Sequence, residues 1–246
     1  MIYFIGAGPG AADLITVRGM RLLERADVIV YAGSLVSPAL LGYAKKDCIV
    51  YDSAYMTLDE IISVMTDNDD EGRTVVRLHT GDPSIYGAVR EQYDRLDAMG
   101  VKYEICPGVS SFCGAAAALR AELTLPEVSQ TVILTRAEGR TPVPSGEELS
   151  LLAQHKATMV IFLSAGMGQK VQDRLLTHYP EDTPAAIVYR ATWEDERVLR
   201  CTAGNIARTL AESGIDRHAL ICVGRALDGG TLSRLYAADF STGYRK

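Results

Sequence analysis

Little in this sequence invites metal or redox chemistry. Among 246 residues there are four histidines and five cysteines. The histidines, His79, His155, His178 and His218, fall at no metal-ligand spacing, so no protein-held metal is expected. Cys48, Cys106, Cys113, Cys201 and Cys222 are scattered and form no C-x-x-C. They read as small, reduced, buried hydrophobes of a cytoplasmic protein. No apolar run reaches about 18 residues, the length at which a membrane span would be expected. Met1 leads straight into a strand-like run with neither a basic flank nor a small-residue cleavage site, which predicts no secretory signal. Nor is there a basic excess: the formal charge is −6. That argues against an electrostatic grip on nucleic acid, while a few local arginines can still hold an anionic small molecule.

What is present is the make-up of a globular chain, 48% apolar and 23% charged. Apolar runs alternate with amphipathic stretches, the pattern of an α/β protein with mostly parallel sheets. Strands are expected near 2–5, 28–31, 48–51, 74–78, 102–106, 131–135, 158–163, 185–189, 197–202 and 218–223. The polar connection 121–129 separates two expected α/β domains, 1–120 and 121–246. A trough between two such domains is a favoured place for a small-molecule site.

The chain opens with MIYFIGAGPGAADLIT. Gly6, Gly8 and Gly10 after a strand invite a dinucleotide reading. That reading also needs an acid after the next strand, which instead ends Tyr31-Ala32-Gly33-Ser34, and its third glycine would fall on Asp13. A tight turn that floors some other ligand site fits better. A second segment, HTGDPSIYG, also follows a strand. Gly81 permits a special backbone conformation, Asp82-Pro83 reads as a helix cap and first turn, and Tyr86-Gly87 adds an aromatic face beside a gap. That helix is expected to carry Ile85, Val89, Tyr93 and Leu96 on one face. A third segment is CPGVSSFCGAAAA, a turn with Ser110 or Ser111 capping an alanine-rich helix. Its G-V-S-S-F differs from a hydrolase elbow by Phe112 in place of the last glycine. Further on, Ser145 and Glu148 read as a capping box, and the acidic run Trp193–Arg197 as a solvated turn.

Taken together and in this order, GAGPGAADLIT, HTGDPSIYG and CPGVSSFCGAAAA resemble the tetrapyrrole (corrin/porphyrin) methyltransferase family. The segments VIVYAGSLV, ELTLPEVSQTVILTRAEGRTPVP and TMVIFLSAGM narrow the resemblance to a branch that acts on a corrin precursor. The resemblance implies two α/β domains with S-adenosyl-L-methionine held in the cleft between them, release of S-adenosyl-L-homocysteine, and a cytoplasmic homodimer. It places Pro9 beside the cofactor, Gly81, Asp82, Ile85 and Tyr86 in its central cradle, and Ser110 and Ser111 as polar contacts. Leu163 is implied as the apolar contact to the adenosine, with Ala186 and Thr202 contacting the adenine through the backbone. An anionic tetrapyrrole would meet Ser34, Leu35, Arg18 and Arg136, with Arg90, Arg140 and Arg190 as further candidate arginines. Methyl transfer from a sulfonium needs alignment rather than a nucleophile, so no catalytic residue is assigned. Two other readings stand beside this one: a sister methyltransferase acting on another precorrin or on uroporphyrinogen, and a non-catalytic nucleotide- or tetrapyrrole-binding module.

Overall fold

In the computed structural model, which describes residues 1–229 and residue 241, the apolar runs pair into two five-stranded sheets. The first contains β1 (Ile2–Gly6), β2 (Val28–Tyr31), β3 (Ile49–Asp52), β4 (Val75–His79) and β5 (Tyr103–Cys106) in the order β3-β2-β4-β1-β5. All of its pairings are parallel. Its central strands are mostly apolar because both faces are buried, with Arg77 and His79 of β4 as buried exceptions. Alternation sends Ile5, Ile29, Val76 and Leu78 into one core, and Ile2, Phe4, Val28, Val30 and Val75 into the other. The helices are α1 (Val17–Leu23), α2 (Leu58–Asp70), α3 (Arg90–Met99) and α4 (Ser111–Leu119). Thr57 and Glu60 form a reciprocal capping box on α2, and Gly100 ends α3 in the left-handed region with φ +69.

The second sheet contains β6 (Val132–Arg136), β7 (Thr158–Phe162), β8 (Pro184–Tyr189), β9 (Arg197–Thr202) and β10 (Ala219–Val223) in the order β6-β7-β10-β8-β9. The mostly parallel pairing that describes the first sheet does not extend here. Only β6 and β7 run parallel, and β10 is antiparallel to both of its neighbours. Strands β8 and β9 follow each other without an intervening helix, and a short link of that kind permits only antiparallel neighbours. Helices α5 (Leu149–Ala153), α6 (Gly168–Leu175) and α7 (Ile206–Ser213) complete this half, whose core centres on Met159, Ile161, Ile187, Ile206 and Ile221.

The chain divides into two compact units, Met1–Gly114 with Ala191–Asp195, and Ala115–Arg190 with Glu196–Lys246. The division falls inside α4, whereas the connection 121–129 belongs to the second unit. The C-terminal end of the expected domain 121–246 lies outside the described residues.

Two expected caps are corrected. The helix expected after Asp82-Pro83 begins only at Arg90, because residues 83–86 form an isolated turn. Helix α5 begins at Leu149 with Glu148 as its cap residue and no side-chain cap bond. Ser145 precedes Gly146, whose φ of +97 is incompatible with a helical start there.

Backbone packing decides how closely the loops after β1, β4 and β5 approach. A Cβ built on Gly108 would lie 2.2 Å from the Gly81 carbonyl oxygen and 2.6 Å from the Gly6 Cα. We therefore expect Gly108→Ala to lower unfolding stability by about 1–3 kcal/mol in urea titration, the usual cost of overpacking. An unchanged midpoint and slope would contradict this contact.

Candidate functional site

Strands β4, β1 and β5 are neighbours in the first sheet, so their carboxyl ends lie side by side. The connection from β1 to β2 passes β4 in one direction, and that from β4 to β5 passes β1 in the other. Open α/β sheets bind ligands at such a reversal. Here the three glycine segments of the sequence meet.

Main-chain bonds stitch the first two together. Gly8 N–H donates to the Gly81 carbonyl at 3.2 Å, Gly81 N–H to the Gly8 carbonyl at 2.9 Å, and Ala7 N–H to the His79 carbonyl at 2.7 Å. Gly81 has φ +60, and a Cβ there would meet the Ser111 nitrogen at 3.3 Å. The third segment thus rests on the second, with Ser110 buried and Ser111 half-buried at the start of α4.

Asp82 ties the loops by its side chain. One carboxylate oxygen accepts from Gly108 N–H at 2.8 Å, and the other accepts from Ser84 N–H at 2.8 Å and from the Ser84 hydroxyl. Burial raises its pKa, but the bonds from Ser84 and Gly108 outweigh that and hold it below the ordinary carboxylate value. Asp82 is therefore an ionised brace rather than a helix cap or a general base. Beyond it the turn is strained: Tyr86 and Ala88 have φ +54 and +49. A Cβ on Gly87 would lie 2.2 Å from the Pro83 carbonyl oxygen. Ile85 is half-buried, while Tyr86 is 43% exposed. A bulky residue in the left-handed region costs about 1–3 kcal/mol and persists where the surroundings over-determine it, most often at ligand sites.

The first glycine loop has a partner that the sequence did not reveal. Thr192 Oγ1 accepts from Ala11 N–H at 3.0 Å, and the indole N–H of Trp193 donates to the Pro9 carbonyl at 3.2 Å. A Cβ on Gly10 would lie 2.2 Å from the Trp193 ring, which is why a glycine stands there. Glu194–Glu196 are exposed, as a solvated turn requires, whereas Arg197 opens β9. Pro9 is buried, with Gly114 of α4 close against its ring.

Ser34 and Leu35 are exposed on the short turn after β2, next to β4 in the sheet. Arg18 is exposed in the first turn of α1. Arg90 is exposed and pairs with Asp94 along α3.

In the second unit, Leu163 follows β7 with φ +53 and is 68% exposed. Ser164 holds it there: its buried hydroxyl donates to the Phe162 carbonyl at 2.6 Å and accepts from Ala137 N–H at 2.9 Å. An exposed leucine in a strained conformation at a strand's carboxyl end suits an apolar ligand contact. Thr202 ends β9, and its hydroxyl accepts from Asn205 Nδ2 at 3.2 Å. Ala186 is different. It is fully buried in β8, in register with Cys222 of β10 and Arg200 of β9. Arg136 is also committed locally. Its guanidinium donates to the carbonyls of Ala137, Thr141 and Pro142 at 3.4, 3.2 and 2.6 Å, which makes it the clamp of its own loop. Arg140 is exposed on that loop, and Arg190 lies over the Tyr189 ring at 6.0 Å.

The family model described as Tetrapyrrole (Corrin/Porphyrin) Methylases matches residues 1–207. Over 100% of this chain and 96% of the relative, it is 52% identical to the cobalt-precorrin-4 C(11)-methyltransferase of Methanocaldococcus jannaschii. It is 49% identical to the precorrin-4 C(11)-methyltransferase of Mycobacterium tuberculosis, over 96% of each chain. Among solved structures, an X-ray structure of a cobalt precorrin-4 methyltransferase superposes with a TM-score of 0.90 at 50% identity, covering 92% of this chain and 95% of that one.

The depressed pKa of Asp82 gives a pH dependence with a defined sign. Its stabilising contribution is complete above the unfolded carboxylate value, near pH 4, and is lost as the pH falls through the lower folded value. The stability difference between the parent and Asp82→Asn, measured by urea unfolding, should therefore shrink between about pH 5 and about pH 2. A difference independent of pH would contradict the bracing role.

Proposed function

The chain belongs to the tetrapyrrole (corrin/porphyrin) methylases, and from that premise we propose that it methylates C-11 of precorrin-4 or cobalt-precorrin-4 with S-adenosyl-L-methionine, in corrin ring biosynthesis. The observation that carries this reading is an identity of 52% and 49% with two relatives named for that activity, over nearly the whole of each chain. The tight Gly81–Ser111 approach and the strained, half-exposed Tyr86 supply a cradle that an extra Cβ would narrow. This fits a polar cofactor that lies close against main chain. Gly81, Asp82, Ile85, Tyr86, Ser110 and Ser111 are its first contacts in this proposal, with Pro9 behind them. Leu163, Ala186 and Thr202 are the cofactor contacts that the family resemblance implies in the second half of the chain.

When bound, S-adenosyl-L-methionine supplies an electrophilic methyl group on a positively charged sulfur. The task left to this chain is alignment and the exclusion of water. Asp82 stays ionised and its oxygens are occupied by Ser84 and Gly108, so it fixes the loop and abstracts no proton. His79, behind the loop, is held neutral by burial and by Arg77 at a pKa of about 3, and acts as no acid near neutral pH. The enamine-like ring carbon of a reduced tetrapyrrole would take the methyl as its bond to sulfur breaks, with S-adenosyl-L-homocysteine released and the positive charge passed to the ring nitrogen. Ser34, Leu35 and Arg18 line the acceptor side in this reading, and Arg136 is the further substrate contact that the family resemblance implies. No helix among the described residues is long and apolar enough to cross a membrane. A cytoplasmic homodimer completes the proposal, on the strength of the family resemblance.

Incubation of the protein with methyl-labelled cofactor and either precorrin-4 or cobalt-precorrin-4, followed by mass spectrometry and NMR of the product, should place one label on C-11. A label at another carbon would favour the sister-enzyme reading, and binding without transfer the sensor reading. Asp82→Ala should weaken cofactor binding by about tenfold, as expected for losing charge-assisted bonds. Tyr86→Ala should also weaken it, and unchanged affinity in both variants would remove this turn from the site.

A further inference from the structure

Arginine 77 lies in the middle of the first sheet, on β4, and is only 5% exposed. Among the described residues no carboxylate pairs with it. Burial alone brings its pKa down to about 10, which still leaves the guanidinium charged near neutral pH. A buried cation without a counter-ion is costly, so its retention needs a reason.

Its contacts supply one. Arg77 Nη1 donates to the Val30 carbonyl at 3.1 Å, anchoring the guanidinium on β2. Its Nε donates to Gln92 Oε1 at 3.0 Å. Gln92, 4% exposed in α3, carries the chain of bonds onward: its Nε2 donates to the Ala88 carbonyl at 3.2 Å. Ala88 is the second left-handed residue of the turn that begins at Asp82. Asp82 fixes the entry of this turn through Gly108 and Ser84, and Arg77–Gln92 fixes its exit.

We propose that Arg77 and Gln92 are positioning residues, a buried relay from the sheet that holds the exit of the 82–88 turn so that Tyr86 and Ile85 face the cofactor. The inference rests on the reading of this turn as the cofactor cradle. Neither side chain touches ligand. Arg77 sets the orientation of the Gln92 amide by offering it only donors, so that the oxygen turns toward the guanidinium and the amide nitrogen toward Ala88. The relay explains why β4 carries a charged residue between Val76 and Leu78.

Gln92→Glu separates the two halves of the relay. The carboxylate still accepts from Arg77, and now neutralises it, but can no longer donate to Ala88. Expected results are a folded protein with a thermal midpoint no lower than the parent, a KM for S-adenosyl-L-methionine raised about tenfold, and an unchanged KM for the tetrapyrrole. Hydrogen exchange at amides 84–89 should quicken in the same variant. Gln92→Met, which loses both bonds, should show the same cofactor effect, and Arg77→Lys an intermediate one. A folded Gln92→Glu with parental cofactor KM and parental exchange in the turn would overturn the inference. Asp82→Ala, run alongside, separates the two levels. If that variant also binds cofactor normally, the cradle reading itself has failed. If it is weakened while Gln92→Glu is not, only the relay has failed.

Discussion

The contact on which the site depends is between backbones that carry no side chains. Gly6, Gly81 and Gly108 end three adjacent parallel strands and approach so closely that a single Cβ on Gly6 or Gly108 would overlap a neighbouring main chain. Parallel strands bring their carboxyl ends to one edge of the sheet, and the reversal of crossover direction between β4 and β1 opens that edge to a ligand. Asp82 then converts proximity into rigidity. Its carboxylate holds Gly108 on one side and Ser84 on the other, and remains charged because those bonds favour the ionised form. The strained residues of the turn, Tyr86 and Ala88, are tolerable because both ends of the turn are fixed.

This architecture matches the demands of the proposed reaction. Displacement at an already activated methyl gains most from fixed geometry and least from acid–base groups. The buried polar groups near the turn are arranged accordingly. Asp82 is an ionised brace, Arg77 an anchored cation and His79 a neutral ring packed against Phe4 with centroids 6.1 Å apart. None is poised to exchange a proton near neutral pH.

Much of this was legible in the sequence, and the rest was hidden for identifiable reasons. The strands of the first sheet announce themselves as short apolar runs, and the glycine segments that follow them meet at its carboxyl edge, at the candidate site. The late start of α3 was not visible, because Asp82-Pro83 has the local chemistry of a helix cap and Ile85, Val89, Tyr93 and Leu96 have helical spacing. What overrides them is tertiary: Gly108 N–H claims the carboxylate, and the chain turns left-handed at Tyr86 and Ala88. The partnership of Trp193 with Pro9 joins positions 184 residues apart and leaves no local trace. The loop contacts of Arg136 were hidden because its partners, the carbonyls of residues 137, 141 and 142, are main-chain groups that every sequence has. The antiparallel character of the second sheet did have a sign, in β8 and β9 following one another with no helical stretch between them.

The most direct test of the account is a crystal structure of the protein with S-adenosyl-L-homocysteine. The account predicts the ligand against Gly81–Tyr86 and Ser110–Ser111, with the Asp82–Gly108 bond intact and Tyr86 still left-handed. Ligand density away from that turn, or a turn that rearranges to a helix on binding, would contradict it.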